Sequence, residues 1–276
     1  VDLQVAKNNM LSPDIECDPV RCEPQWAEGL FPFRGARVDV QALTVFDDGT
    51  GPALYVGGTL NVAGGVIVNA IVRWDGTRFT PLGSGINGVV NVLAVFDDGT
   101  GPALYVGGDF TTAGDVGTFG IAKWDGTSWS PLGSGTNGYV NALAVFDDGT
   151  GPALYAGGEF STVGGVSANR IAKWDGATWS PLGSGMNEWV TDLTVFDDGT
   201  GPALYASGWF TAAGGVATNF IAKWDGASWS PIGHGMNDWV YTLMVFDEGT
   251  GSALYAGGTF TTADGVGANN MAKWEG

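Results

Sequence analysis

A block that returns every fifty residues, short apolar runs bounded by Asp and Gly turns, and glycine at 47 positions together predict an all-β chain. The fold class that fits is a five-bladed β-propeller of four-stranded antiparallel blades. The period is carried by Val45-Phe46-Asp47-Asp48-Gly49-Thr50-Gly51, which recurs at Val95–Gly101, Val145–Gly151 and Val195–Gly201. A fifth, altered copy reads Val245-Phe246-Asp247-Glu248-Gly249-Thr250-Gly251. No insertion disturbs the offset, so the copies read as one body with repeats over 40–89, 90–139, 140–189, 190–239 and 240–276. Ahead of them lie an extension over 1–25 and a closing strand with its connection over 26–39.

The third copy justifies the four strands in order. Val140–Phe146 is nearly all apolar, as expected of a first strand buried on both faces. Asp147–Pro152 has the Gly and Pro of a hairpin connection, and Ala153–Gly158 forms the second strand. A polar stretch from Glu159 to Asn169 leads to a third strand at Ile171–Trp174. Asp175-Gly176 then turns the chain into a fourth strand around Trp179–Gly183. The fifth copy reaches Trp274-Glu275-Gly276 without a fourth strand. Leu30-Phe31-Pro32-Phe33, within Trp26–Arg34, can stand in for Trp-Ser-Pro-Leu. An open ring would leave sheet edges unpaired, so the expectation is a ring closed by this N-terminal strand in blade five.

Paired glycines end the second strands at Gly57-Gly58, Gly107-Gly108, Gly157-Gly158 and Gly257-Gly258. An aromatic, turn, Trp, small, Pro run follows, as in Trp124-Asp125-Gly126-Thr127-Ser128-Trp129-Ser130-Pro131. In these features the chain resembles the kelch repeat, the blade type of galactose oxidase, over residues 41–276. The resemblance implies a propeller and no particular activity. Trp stands where the kelch third strand usually has Tyr, and blade four reads Ser207-Gly208.

The formal charge of −18, from 11 basic and 29 acidic side chains, repels phosphate backbones and anionic lipid. Nucleic acid is thereby excluded as a partner. No apolar run approaches the roughly 20 residues that cross a bilayer, so membrane insertion is not expected. Val1 opens on polar, acidic sequence without a signal-peptide pattern, as either a processed chain or a trimmed part of a larger protein would. Cys17 and Cys22 permit a small local disulfide worth roughly 2 kcal/mol by loop-closure entropy. A metal clip is the alternative, but two cysteines with no nearby His fall short of a zinc site. A disulfide implies an oxidising setting and a secreted or extracytoplasmic chain.

Fifteen acidic residues fall in the two turns expected on one face of the disc: Asp47, Asp48 and their repeats, and Asp75, Asp125, Asp175, Asp225 and Glu275. Calcium is the functional reading, yet Asp-Asp-Gly-Thr-Gly lacks the alternating carboxylates of calcium loops. The structural reading is turn formation with an acidic rim offset by Arg73, Lys123, Lys173, Lys223 and Lys273. No other metal or cofactor is expected. Trp74, Trp124, Trp174, Trp224, Trp274, Trp129, Trp179 and Trp229 keep step with the repeat and read as inter-blade packing.

Departures from the repeat mark a candidate ligand site around blade four: Trp189, Asp192, Trp209, Phe220, His234, Asp238, Trp239 and Tyr241. Aromatic rings beside carboxylates suit stacking on sugar C–H faces, or an aromatic hot spot for a protein. One His and two N-terminal Cys cannot supply a copper-oxidase centre, and Asp192 is a lone carboxylate where glycosidases need a pair. The expectation is a secreted, monomeric, non-catalytic module that binds carbohydrate or acts as an adhesin through its variable loop face; the alternative is a protein-interaction or structural cell-surface propeller, and a glycoside hydrolase is the remote one.

Overall fold

The computed structural model describes residues 39–249 and 251–276. Blade one is built from β1 (Val40–Asp47), β2 (Pro52–Gly58), β5 (Ile71–Trp74) and β6 (Phe79–Pro81), antiparallel in that spatial order. Between β2 and β5 the chain makes a small hairpin, β3 (Val62–Ala63) with β4 (Val66–Ile67). The same pattern recurs in the next three copies. Among the described residues the fifth blade has three strands, Val240–Asp247, Ser252–Gly258 and Met271–Trp274, with its own small hairpin. The expected four-stranded repeat is therefore present, with one element unforeseen: the polar connection carries a hairpin.

First strands of successive blades lie against one another and form the inner edge of the array. Their burial corrects the sequence reading. Val140–Asp147 alternates between buried and accessible positions, whereas residues 153–158 of the second strand are buried throughout. The reason is position: the first strand has a partner strand on one side only, while the second is paired on both sides.

The paired glycines are explained by close approach. A Cβ on Gly107 would lie 2.6 Å from Val140 of the next blade, and one on Gly108 would lie 2.0 Å from the Val89 carbonyl oxygen. The first glycine admits the neighbouring blade and the second admits the blade's own first strand. Ser207, buried at the first position in blade four, departs from this pattern.

Three contacts recur between blades. Trp129 Nε1 donates to the Leu82 carbonyl at 2.9 Å, and Trp179 and Trp229 repeat the bond to Leu132 and Leu182. Asn87 Oδ1 accepts from the amides of Thr111 and Thr112, both at 2.9 Å, and so clasps the next blade's small hairpin. Asn137, Asn187 and Asn237 do the same. Along the inner edge Asn91 donates to Val140 O, Asn141 to Val190 O, and Thr191 to Val240 O. In blades one to four the third-strand ring also packs on a fourth-strand ring, as in Trp124–Trp129 with centroids 5.1 Å apart. The repeating Trp are thus packing residues, as their period implies.

The first and last blades leave flanks uncovered among the described residues. Leu43 is 60% exposed where Leu93, Leu143, Leu193 and Leu243 are at most 9% exposed. Phe246 is 57% exposed where Phe46, Phe96, Phe146 and Phe196 are at most 4% exposed. The ring expected from the sequence is therefore not closed by residues 39–276. The strand assigned to close it, the extension over 1–25, Trp26 and the Cys17–Cys22 pair all lie outside the described residues.

Candidate ligand-binding rim

The two turns expected to share a face do so. A Cβ on Gly126, in the last turn of blade two, would lie 3.1 Å from Asp48 in the first turn of blade one. Asp47 Oδ1 accepts from the amides of Gly49 and Gly51 at 2.9 and 3.0 Å, and so shapes its own turn. Asp98 turns inward instead. Its Oδ2 accepts from Tyr105 at 2.8 Å and pairs with Lys123 Nζ at 2.5 Å, while Oδ1 accepts from Thr100. Asp148 with Lys173, Asp198 with Lys223 and Asp48 with Arg73 repeat the cluster.

Burial pushes the Asp98 carboxyl up, but the hydrogen bonds from Lys123, Thr100 and Tyr105 outweigh it and hold the group at about 2. Burial and the Asp98 carboxylate together drive the Tyr105 phenol far above its ordinary value. These carboxylates are engaged in turns and ion pairs. No group of three or more His, Cys, Asp or Glu positioned to hold a metal occurs among the described residues.

The opposite rim is organised by a pair of positions in each blade, the residue before the first strand and the residue after the second. Trp209 N donates to Trp189 O at 2.9 Å, Glu159 N to Tyr139 O at 2.8 Å, and Thr259 N to Trp239 O at 3.0 Å. Because every blade presents this pair, residue choice there is free of the strand core. In blade four both members are Trp, stacked with centroids 4.5 Å apart. Trp209 stacks again on Trp239 of blade five, at 4.2 Å and 10°. Three indoles therefore form one continuous stack across a blade boundary, with Trp209 in the middle. Trp239 is 39% exposed, and Tyr241, two positions further on, is 44% exposed. The ring faces open to a ligand are the outer ones.

The other predicted residues do not join this stack. Asp192 Oδ2 accepts from Leu243 N at 2.7 Å and Thr242 Oγ1 at 3.1 Å, and its Oδ1 accepts from Leu193 N at 2.8 Å. It is a clasp between blades four and five; burial raises its carboxyl, with those three bonds acting in the opposite direction. Asp238 Oδ1 accepts from Trp239 N at 2.9 Å and fixes the start of that strand. Phe220 packs against the cluster between blades four and five. His234 lies in the connection leaving blade four, where Nδ1 meets Asp264 Oδ1 at 2.5 Å.

Sequence reasoning passed over the rest of the rim. Tyr139 is exposed and sits beside Glu159 in blade three. Burial raises the Glu159 carboxyl, and the Asp109 charge adds to the rise against Asn141 and Arg170. The signal was present in the sequence: Asp109, Tyr139, Glu159, Trp189, Trp209 and Trp239 occupy only two places of the fifty-residue period.

A family model described as the Rax2 C-terminal beta-propeller domain matches residues 29–197 and, in a second placement, 75–246. The chain belongs to that family. The overlapping placements are what a repeating unit produces. Two solved structures are similar at 13% identity, both extracellular domains from B. thetaiotaomicron. The first, from a hybrid two-component system, has a TM-score of 0.49 over 86% of this chain. The second, from a one-component system, has a TM-score of 0.27 over 79%. The chain spans only 27% and 32% of those two chains. No curated protein matches. No helix among the described residues is long and apolar enough to cross a membrane.

Proposed function

We propose that the chain is a non-catalytic binding module that holds a carbohydrate on the aromatic side of its variable rim. The observation that carries this reading is the Trp189–Trp209–Trp239 stack, ending in an exposed indole. Indole and phenol faces suit the C–H faces of a sugar ring, and a pre-stacked platform loses little entropy on binding. Trp209 buttresses, while Trp239 makes the contact. Asp192, the one carboxylate singled out on the inner strands, is committed to backbone amides, which favours binding over hydrolysis.

In this reading the five blades form a ring, the chain acts as a monomer, and the Cys17–Cys22 pair suits an extracytoplasmic compartment. The kelch-type likeness belongs here too, supported by paired glycines at which the backbone admits its neighbours. The test is a glycan array probed with the native chain and with Trp239→Ala. Selective binding that disappears with Trp239→Ala, at an unchanged melting temperature, supports the platform. A silent array with retained binding to a protein partner would replace the carbohydrate by that partner.

A further inference from the structure

The rim pair of blade three is held as that of blade four is. Glu159 N donates to Tyr139 O at 2.8 Å, as Trp209 N donates to Trp189 O at 2.9 Å. Blade three also meets blade four as blade four meets blade five. Asn187 and Asn237 each accept from two amides of the next small hairpin, while Asn141 and Thr191 donate to Val190 O and Val240 O of the next first strand. Glu159 therefore occupies, between Tyr139 and Trp189, the place that Trp209 occupies between Trp189 and Trp239. The two places are filled differently. The Trp209 indole completes a stack, its centroid 4.5 Å from Trp189 and 4.2 Å from Trp239. A glutamate side chain is too narrow to fill the gap of an indole. Blade three thus keeps a slot with two aromatic walls and a carboxylate at its floor. Tyr139 is 39% exposed, and among the described residues Trp189 stacks on no ring but Trp209, which leaves its other face to this slot.

We propose that this slot binds a methylated ammonium group, held between the Tyr139 and Trp189 faces with Glu159 as its counter-charge. Ring faces attract a cation, and its methyl groups need apolar walls. The stack of blade four sets the scale: with its 4.5 and 4.2 Å steps carried over, the walls stand roughly 9 Å apart and a cation at mid-slot lies about 4.5 Å from each centroid. That is inside the reach of about 6 Å over which a ring face holds a cation. A bare ammonium would leave the slot loosely filled, whereas methyl groups reach both rings. The charge balance points the same way. Asp109, on the far side of Tyr139 in the rim order, adds its negative charge to that of Glu159, and Arg170 alone opposes them. Among the described residues Arg170 forms no ion pair with either carboxylate, and its buried Nε has no partner. Two carboxylates against one guanidinium leave the place one positive charge short. This site is separate from the outer face of Trp239 and does not depend on a carbohydrate being bound there.

The test is titration calorimetry of the full chain with choline. Choline should bind saturably to a single site. Its uncharged carbon isostere, with a tert-butyl group in place of the trimethylammonium, should bind about tenfold more weakly or worse. Ethanolamine, which keeps a charge but lacks the methyl groups, should also bind more weakly than choline. Glu159→Gln removes the counter-charge and should weaken choline about tenfold. Glu159→Trp copies blade four, fills the slot and should abolish choline binding at an unchanged melting temperature; should that variant fold poorly, Glu159→Gln carries the test. No saturable binding of choline, equal binding of the isostere, or choline binding that is unaltered by Glu159→Gln or survives in folded Glu159→Trp would each overturn the proposal. Ethanolamine binding more tightly than choline would overturn the assignment of a methylated group.

Discussion

Replacing Asp98 and Asp148 together by Asn should flatten the acid limb of the stability curve. In the native chain each carboxyl stands at about 2, against 3.8 for an exposed aspartate. Both are nearly enclosed, with side chains 7% and 8% accessible, and each is bonded to a Tyr, a Lys and a Thr. The depressed value fixes the sign. Well above the unfolded value, from about pH 5 upward, the group is ionised in both states and its contribution is complete. As the pH falls from about 4 to about 2 the unfolded chain takes up protons first, and the contribution is lost. Each group then accounts for between 2 and 3 kcal/mol, or about 5 kcal/mol for the pair, on the order given by proton linkage. Urea unfolding at pH 7, 5, 4, 3 and 2 measures it. The native chain should lose about 4 kcal/mol more than the double variant between pH 5 and pH 2, the remainder following below pH 2. Equal losses in the two proteins would show that the inward carboxylates do not support the turns as argued.

Two further outcomes follow from the blade contacts. Trp179→Ala removes a nearly buried indole and its bond to Leu132 and should cost about 3–5 kcal/mol in chemical denaturation, whereas Trp179→Phe should cost far less; a loss under about 1 kcal/mol for the alanine variant would contradict inter-blade packing. Asp192→Ala strands the Leu243 and Leu193 amides and should cost about 1–3 kcal/mol. Asp192→Asn keeps an acceptor and relieves a buried charge, so an equally large loss would argue against the clasp.

The period made the strands, the shared face of the turns and the role of the repeating Trp legible in the sequence, because each depends on phase alone. Partners across a blade boundary depend on rotation between blades, which phase does not encode. Phe220, His234 and Asp192 therefore scatter although they crowd one region of the sequence, and Trp189, Trp209 and Trp239 converge. The small hairpins were hidden for a related reason. Val62–Ala63 and Val66–Ile67 are two residues each, and in the later blades Asn87 and its counterparts hold the equivalent hairpin from the preceding blade. Burial of the second strand rather than the first was illegible because both are apolar.

The Asn clasp and the Trp bond always reach from one copy to the next, never within a copy. A duplication or loss of fifty residues between blades one and four therefore recreates the same junction on either side, and the number of modules can drift during evolution without any new interface being invented. The junction between blades four and five lacks that freedom. Asp192 bonded to Thr242, Trp209 stacked on Trp239 and His234 bonded to Asp264 are private pairings, and an extra module inserted there would separate all three at once.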